Sequence, residues 1–283
     1  MIALKQFTLI ALIALIALIG LTGRAHAQAD LPQTLYLGSV AMEVPAEMVK
    51  RMAPLAGYLS RQTGINVSFR ASPNLAAAIA DLGTGVTGIA YLTPVAYVEA
   101  RRKYQAQALV APLTQGKSSF RLVLAVKQGS ALRSAADLKG KTFALGDEKA
   151  LLQQAVVVGA GVALAELSSY AFLKHYYNIA KAVLNDDFDA GILSEGVFLE
   201  FAPRGLRAVH TSPLLPSYVF AVNAKLSPAT VEKLRGAFLA LRAEVPEHRD
   251  ILQQLGKGID GFVPARDADY DTVRVLIAPF ANR

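Results

Sequence analysis

The sequence predicts an α/β protein of two lobes, each a mostly parallel sheet flanked by helices, joined by a two-strand hinge. Three observations predict it. Short apolar runs alternate with segments of helical periodicity, and turn residues separate them. Two extended runs, near residues 119–127 and 217–223, bracket the middle of the chain as two crossings between lobes would. The stretch Asp137 to Gln154, DLKGKTFALGDEKALLQQ, reads as strand, tight loop and helix start. That order places backbone N–H groups at the carboxyl end of a strand, where α/β proteins build ligand crevices. The expected division is a first lobe of residues 28–124 plus 216–283 and a second lobe of 125–215.

The elements follow in order. Leu35 to Val40 reads as a strand, and Pro45 opens a helix to about Thr63 with Met48, Met52, Leu55 and Leu59 on one face. Pro54 inside it predicts a kink or a break. Ile65 to Arg70 alternates as a strand, and Ser72-Pro73-Asn74 starts a helix that reaches about Leu82. Gly88 to Leu92 is an apolar strand. Thr93-Pro94 then supplies an N-cap and a first-turn proline for a helix ending in Arg101-Arg102-Lys103, where cations suit the helix dipole. Ala108 to Leu113 reads as a strand and Ser119 to Lys127 as one long strand. A short turn over Asp137–Gly140, a strand over Thr142–Gly146 and a helix from Glu148 to Gly159 follow. Tyr170 to His175 is strand or loop, leading to a helix ending near Asn185. Phe188 to Leu193 is a buried strand, followed by a helix from Ser194 and a strand over Arg207–Thr211. Prolines 213 and 216 bound a crossing into the strand Tyr218–Asn223, and the tail from Ser227 reads as helical, packed back on the first lobe.

Composition narrows the function. Met1 to Ala27 carries Lys5, an apolar run from Phe7 to Leu21 and an Ala-x-Ala site, Ala25-His26-Ala27. This predicts a secretory signal peptide cut after Ala27, with an uncleaved membrane anchor as the alternative. No cysteine follows the apolar run, so lipid attachment there is closed. Without Lys5 and Arg24, 27 of the 29 basic residues remain against 22 acidic ones, a net charge near +5. The basic residues are scattered, which speaks against a nucleic-acid partner. Zero Cys excludes disulfides, thiolate metal sites and a cysteine nucleophile, and the four His lack metal-binding spacing. No nucleophile–base pair, paired carboxylates or nucleotide-binding glycine motif points to an enzyme, and no cofactor is expected.

Six blocks carry a family resemblance: PLAGYLSRQTGINVSF (Pro54–Phe69), GVTGIAYLTPVAYVEA (Gly85–Ala100), DLKGKTFALGD (Asp137–Asp147), AVLNDDFDAGIL (Ala182–Leu193), TSPLLPSYVFAV (Thr211–Val222) and GFVPARDADYDTVR (Gly261–Arg274). In this order they resemble the periplasmic solute-binding proteins of the phosphonate/phosphite/phosphate type, components of ABC transporters with a type II periplasmic-binding-protein fold. The resemblance implies a small ligand held between lobes and a membrane permease as partner. A periplasmic protein feeding a membrane-bound sensor kinase or cyclase is the alternative. Where phosphonate binders of the family carry a Ser-Thr-Ser run, this chain has Ala150-Leu151-Leu152, and Glu148 stands in place of the usual proline. The anion loop is therefore degenerate, and a less charged or more apolar ligand is expected. The family's ligand-facing aromatic would fall near Leu92.

The candidate ligand-binding residues are Thr93, Tyr97, Asp147, Lys149, His175, Glu195 and Tyr218. Asp147 and Lys149 lie in the loop at the helix start, where Lys149 either neutralises an anion or is a solvated first-turn lysine. Thr93 donates to a ligand or only caps its helix. Tyr97 reaches the cleft or packs with its hydroxyl at the rim. The resemblance places His175 and Glu195 at helix starts facing the crevice, and each could equally serve its own helix. Tyr218 closes over a ligand or acts as a hinge strut.

Overall fold

The computed structural model describes residues 34–39, 45–148 and 150–280. The expected signal peptide, Met1–Ala27, and Lys149 lie outside the described residues. The first sheet contains β1 (Leu35–Ser39), β2 (Val67–Ala71), β3 (Ile89–Leu92), β4 (Gln107–Thr114), β12 (Val219–Val222) and β13 (Ile259–Pro264), in the order β13-β4-β12-β3-β1-β2. The second contains β6 (Leu122–Lys127), β7 (Thr142–Leu145), β8 (Ser169–Phe172), β9 (Ala190–Ser194) and β10 (Leu206–Thr211), in the order β10-β6-β9-β7-β8. Both sheets are mixed rather than mostly parallel. β2, β1 and β3 run parallel, as do β8, β7 and β9, while β12, β4 and β13 in one sheet and β6 and β10 in the other pair antiparallel. The antiparallel strands are those that carry the chain between sheets or bring the tail back.

The helices are α1 (Pro45–Thr63), α2 (Leu75–Thr84), α3 (Pro94–Tyr104), α4 (Leu151–Gly159), α5 (Tyr176–Leu184), α6 (Glu195–Phe201), α7 (Pro228–Ala240), α8 (Pro246–Leu255) and α9 (Asp271–Ile277). Their starts follow the caps read from the sequence. Asn74 accepts from the Ala77 N–H, Thr93 from Ala96 and Ser227 from Thr230. Gly85 closes α2 in the left-handed region, at φ +90°, which an L side chain adopts only with strain. Pro54 lies inside α1 without dividing it.

Three expectations change. The run 119–127 is two strands: β5 (Ser119–Phe120) pairs with β11 (Leu215–Pro216) as a separate antiparallel ribbon, and β6 belongs to the second sheet. Arg121 makes the break, its guanidinium donating to the Ser212 carbonyl at 2.7 Å. Ser212, fully buried, also accepts from the Leu122 N–H at 3.0 Å, so the two crossings are clasped together. Secondly, α4 starts at Leu151 rather than Glu148, with Ala150 at its N-cap and no side-chain cap bond. Thirdly, the tail is not all helical: Ile259–Pro264 adds β13 to the edge of the first sheet.

One face of the first sheet buries Leu37, Phe220 and Phe262 against Met52 and Leu59 of α1, Phe238 of α7 and Leu252 of α8. Phe220 and Phe238 lie with ring centroids 4.6 Å apart. Each such side chain, fully buried, contributes roughly 1.5–3 kcal/mol. The other face, under α2 and α3, belongs to a core that continues through Leu215, Tyr270 and Val273 into the second sheet. Helix α9 accordingly packs against α4 as well as α3, so the tail touches elements of both sheets and not the first alone.

Candidate functional site

The parallel registers bring the carboxyl ends of β7, β8 and β9 to one edge of the second sheet. In the first sheet the carboxyl end of β3 meets the start of β12, with Leu92 opposite Val219. The polypeptide crosses between these edges at β5 and β11, immediately before Tyr218.

Tyr91, on β3, is 7% exposed. Its ring stacks on Phe220 of β12, directly opposite in register, at 4.6 Å, and lies 5.2 Å from Tyr218. Burial pushes the Tyr91 hydroxyl far up from its ordinary value. The Tyr218 phenol adds to that, and the Arg51 guanidinium of α1 pulls the other way. Burial also raises Tyr218, with Arg51 again opposing. One cation thus acts on both phenols.

The second sheet presents a matching group. Gln153, in the first turn of α4 and 8% exposed, accepts the Gly146 N–H at 2.7 Å through Oε1. Its Nε2 donates to the Tyr176 hydroxyl at 3.1 Å. Tyr176 opens α5, and burial pushes its hydroxyl up to about 12. The hydrogen bond from Gln153 opposes this shift and the Tyr218 phenol reinforces it. Tyr176 and Tyr218 both keep partly accessible surface. Tyr218 touches the Tyr91 ring, and its phenol also acts electrostatically on Tyr176. Because the Tyr176 oxygen accepts from Gln153, its own proton is directed elsewhere. These elements hold three phenols, the Arg51 guanidinium and a carboxamide whose oxygen and nitrogen are both already bonded.

Of the residues expected from the sequence, Tyr218 lies in this cluster. Thr93 follows β3 directly and caps α3, its hydroxyl accepting from Ala96 at 3.1 Å. Asp147 is exposed in the β7–α4 loop. His175 is exposed at the N-cap of α5 and makes no side-chain cap bond. Glu195, half-buried at the start of α6, donates its N–H to the Arg121 carbonyl at 3.0 Å, which places it beside the crossings. Tyr97 takes the packed placement of its two expected ones. It is fully buried, its ring lies 4.6 Å from Tyr270, and its hydroxyl donates to Asp267 at 2.7 Å. The tyrosine faces the returning tail because Tyr270 and Asp267 fill that side of α3.

Asp267 also receives Arg274 and lies 3.6 Å from Arg101. Burial works to raise its carboxyl, but the Tyr97 and Arg274 hydrogen bonds and the two arginine charges outweigh it, holding the carboxyl below its ordinary range. Arg101, Asp267 and Arg274 line a concavity of about 860 Å³ between α3, α9 and Leu151. Two of its cations are committed to Asp267 and a third, Lys103, to Glu99 at 2.6 Å.

Arg51, Tyr91, Gln153 and Tyr176 escaped the sequence reading. Near Leu92, where the resemblance implies a ligand-facing aromatic, the aromatic present is Tyr91, and Leu92 is fully buried. Gln153 carried a signal: a polar residue within the apolar run Leu151–Val158.

The chain matches the family model described as the periplasmic substrate-binding protein of the phosphonate ABC transporter over residues 37–270. A Mycolicibacterium smegmatis protein, described as the phosphate-import protein PhnD, is 26% identical over 280 residues, covering 86% of this chain and 84% of its own. PhnD1 of Prochlorococcus marinus, solved with methylphosphonate, superposes with a TM-score of 0.68 at 18% identity, covering 89% of this chain and 100% of its own. A Xanthomonas citri protein solved with bound ATP gives a TM-score of 0.70 at 21% identity, covering 87% and 96%. At these identities the solved structures speak for the fold, and that fold is two-lobed.

Proposed function

The chain belongs to the family of periplasmic substrate-binding proteins of phosphonate ABC transporters, and from that premise we propose that it is exported and captures a small organic anion for an importer. Capture takes place between two lobes carried by the two sheets, and hinge movement at the β5–β11 crossings closes them on the ligand. The closed form then docks on the membrane permease. Cleavage after Ala27 and a periplasmic location belong to the same proposal. The membrane-sensor alternative draws no support from a family described as transport proteins.

The observation that carries the reading is the pair of tyrosine sites beside the chain crossings: Tyr91 against Tyr218 and Phe220 on the first sheet, near Arg51, and Tyr176 bonded to Gln153 on the second. Neutral O–H donors and one guanidinium suit a ligand of a single negative charge, and the tyrosine rings suit an apolar body. The binding itself requires no chemistry from the protein.

The test is thermal unfolding of the protein against oxyanions, phosphonates, amino acids and small organic acids, followed by calorimetry. A specific ligand at one hundred times its Kd should stabilise the folded state by about 2.7 kcal/mol. Arg51→Ala should weaken binding about tenfold or more. Absence of any saturable ligand across the panel would overturn the proposal.

A further inference from the structure

The β7–α4 loop already holds an acceptor. The Gly146 N–H, at the end of β7, is the kind of donor that receives a ligand oxygen at a strand end. In this chain it is bonded at 2.7 Å to Oε1 of Gln153. A glutamine at the third helical position ordinarily reaches back to the N-cap N–H. Gln153 reaches past Ala150 to Gly146, and its Nε2 is fixed by Tyr176. The approach needs a glycine, because a Cβ at position 146 would lie 2.6 Å from Nε2 and 2.7 Å from Oε1. Gln153 is 8% exposed, so its carboxamide is packed into place rather than lying loosely over the loop.

We propose that Gln153 is a built-in occupant of the loop's donor position and that it sets the ligand class of the groove. Its oxygen takes the N–H that a tetrahedral oxyanion would need. A phosphate or phosphonate must displace the carboxamide, stripping two hydrogen bonds from a buried group that water cannot readily rescue. A ligand with one charged end would avoid that displacement by placing its charge near Arg51 and the Tyr91 and Tyr218 phenols. This inference rests on the solute-binding reading and deepens it.

The experiment compares the full chain with Gln153→Ala and Gln153→Ser, titrated with inorganic phosphate and methylphosphonate by calorimetry. The Gly146 amide is followed by NMR, and the organic-acid panel is run in parallel. The unaltered protein should bind neither oxyanion at millimolar concentration. Both variants should gain affinity of about tenfold or more, with the Gly146 amide shifting on titration only in the variants. Circular dichroism establishes that each variant is folded, and serine keeps the assay usable if alanine is not. The inference is overturned if the unaltered protein binds methylphosphonate as tightly as the variants, or if folded variants gain nothing. Should organic acids bind while the variants gain no oxyanion, the Gln153 assignment falls alone. Should nothing bind any form, the solute-binding reading falls with it.

Discussion

Gly146→Ala tests the loop from its other side. The residue is buried and lies outside the left-handed region, so alanine suits its backbone. What the new methyl meets is the end of Gln153, at 2.6 Å and 2.7 Å. That end is flexible enough to swing away, and the cost is then the bonds it abandons. Two hydrogen bonds are lost, to the Gly146 N–H and to the Tyr176 hydroxyl, each worth about 1 kcal/mol net. A buried N–H left without an acceptor adds about 1–3 kcal/mol where water does not reach it. The expected destabilisation is about 2–5 kcal/mol, read by urea unfolding, with a fall in Tm of roughly 2–4 °C per kcal/mol. A double-mutant cycle isolates the cause. In a Gln153→Ala background the three nearest atoms the new methyl would meet are gone, so the two losses should be far from additive, with a coupling of about 2 kcal/mol. A Gly146→Ala effect below about 0.5 kcal/mol, or two additive losses, would refute the reasoning.

Three further outcomes are expected. Tyr97→Phe removes the buried phenol's bond to Asp267 and should cost about 1 kcal/mol in denaturant unfolding, while leaving ligand binding unchanged. The Asp267 carboxyl is held below its ordinary value, so its stabilising contribution is full above the unfolded carboxyl's range. That contribution is lost as pH falls through the lowered folded value, and Asp267→Asn should flatten the acid side of the stability–pH curve. Gly191→Ala in β9 would set a Cβ 2.3 Å from Ile179 and 3.3 Å from the Ala144 carbonyl, and the overpacking should cost about 1–3 kcal/mol by thermal unfolding.

Local chemistry made most of the elements readable. Thr93-Pro94, Ser227-Pro228 and Asn74 each announce a helix start through a side-chain oxygen that the structure uses as a cap. The strand starting at Ile259 was missed because its partner, β4, is about 150 residues earlier, and nothing local marks an edge strand added from the tail. The run 119–127 read as one strand because both of its parts are extended. Only the Arg121–Ser212 contact, made across the chain, reveals where it changes sheets. The site was harder still. β3 is buried along its whole length, so alternation does not say which of its side chains would meet a ligand, and the resemblance points only to the neighbourhood of Leu92. Gln153 matters through a bond seven residues back and another 23 residues on, a pairing that no spacing rule contains.

The same connections bear on how such a groove could close. A hinge of two strands alone would leave the sheets free to swing about β5 and β11. Here α9 packs against α3 on one side and α4 on the other, and residues from Leu35 onward form one compact unit. The Tyr97–Asp267–Arg274 bonds tie the segment entering α9 to α3, so on that side the tail is fixed. The α9–α4 contact is chiefly apolar, with Leu276 beside Gly159. Apolar surfaces slide at lower cost than hydrogen-bonded ones, because no directional bond breaks on the way. Motion would therefore concentrate where α4 moves over α9. Gln153 sits on that helix, so under the proposed closure its carboxamide would move with α4.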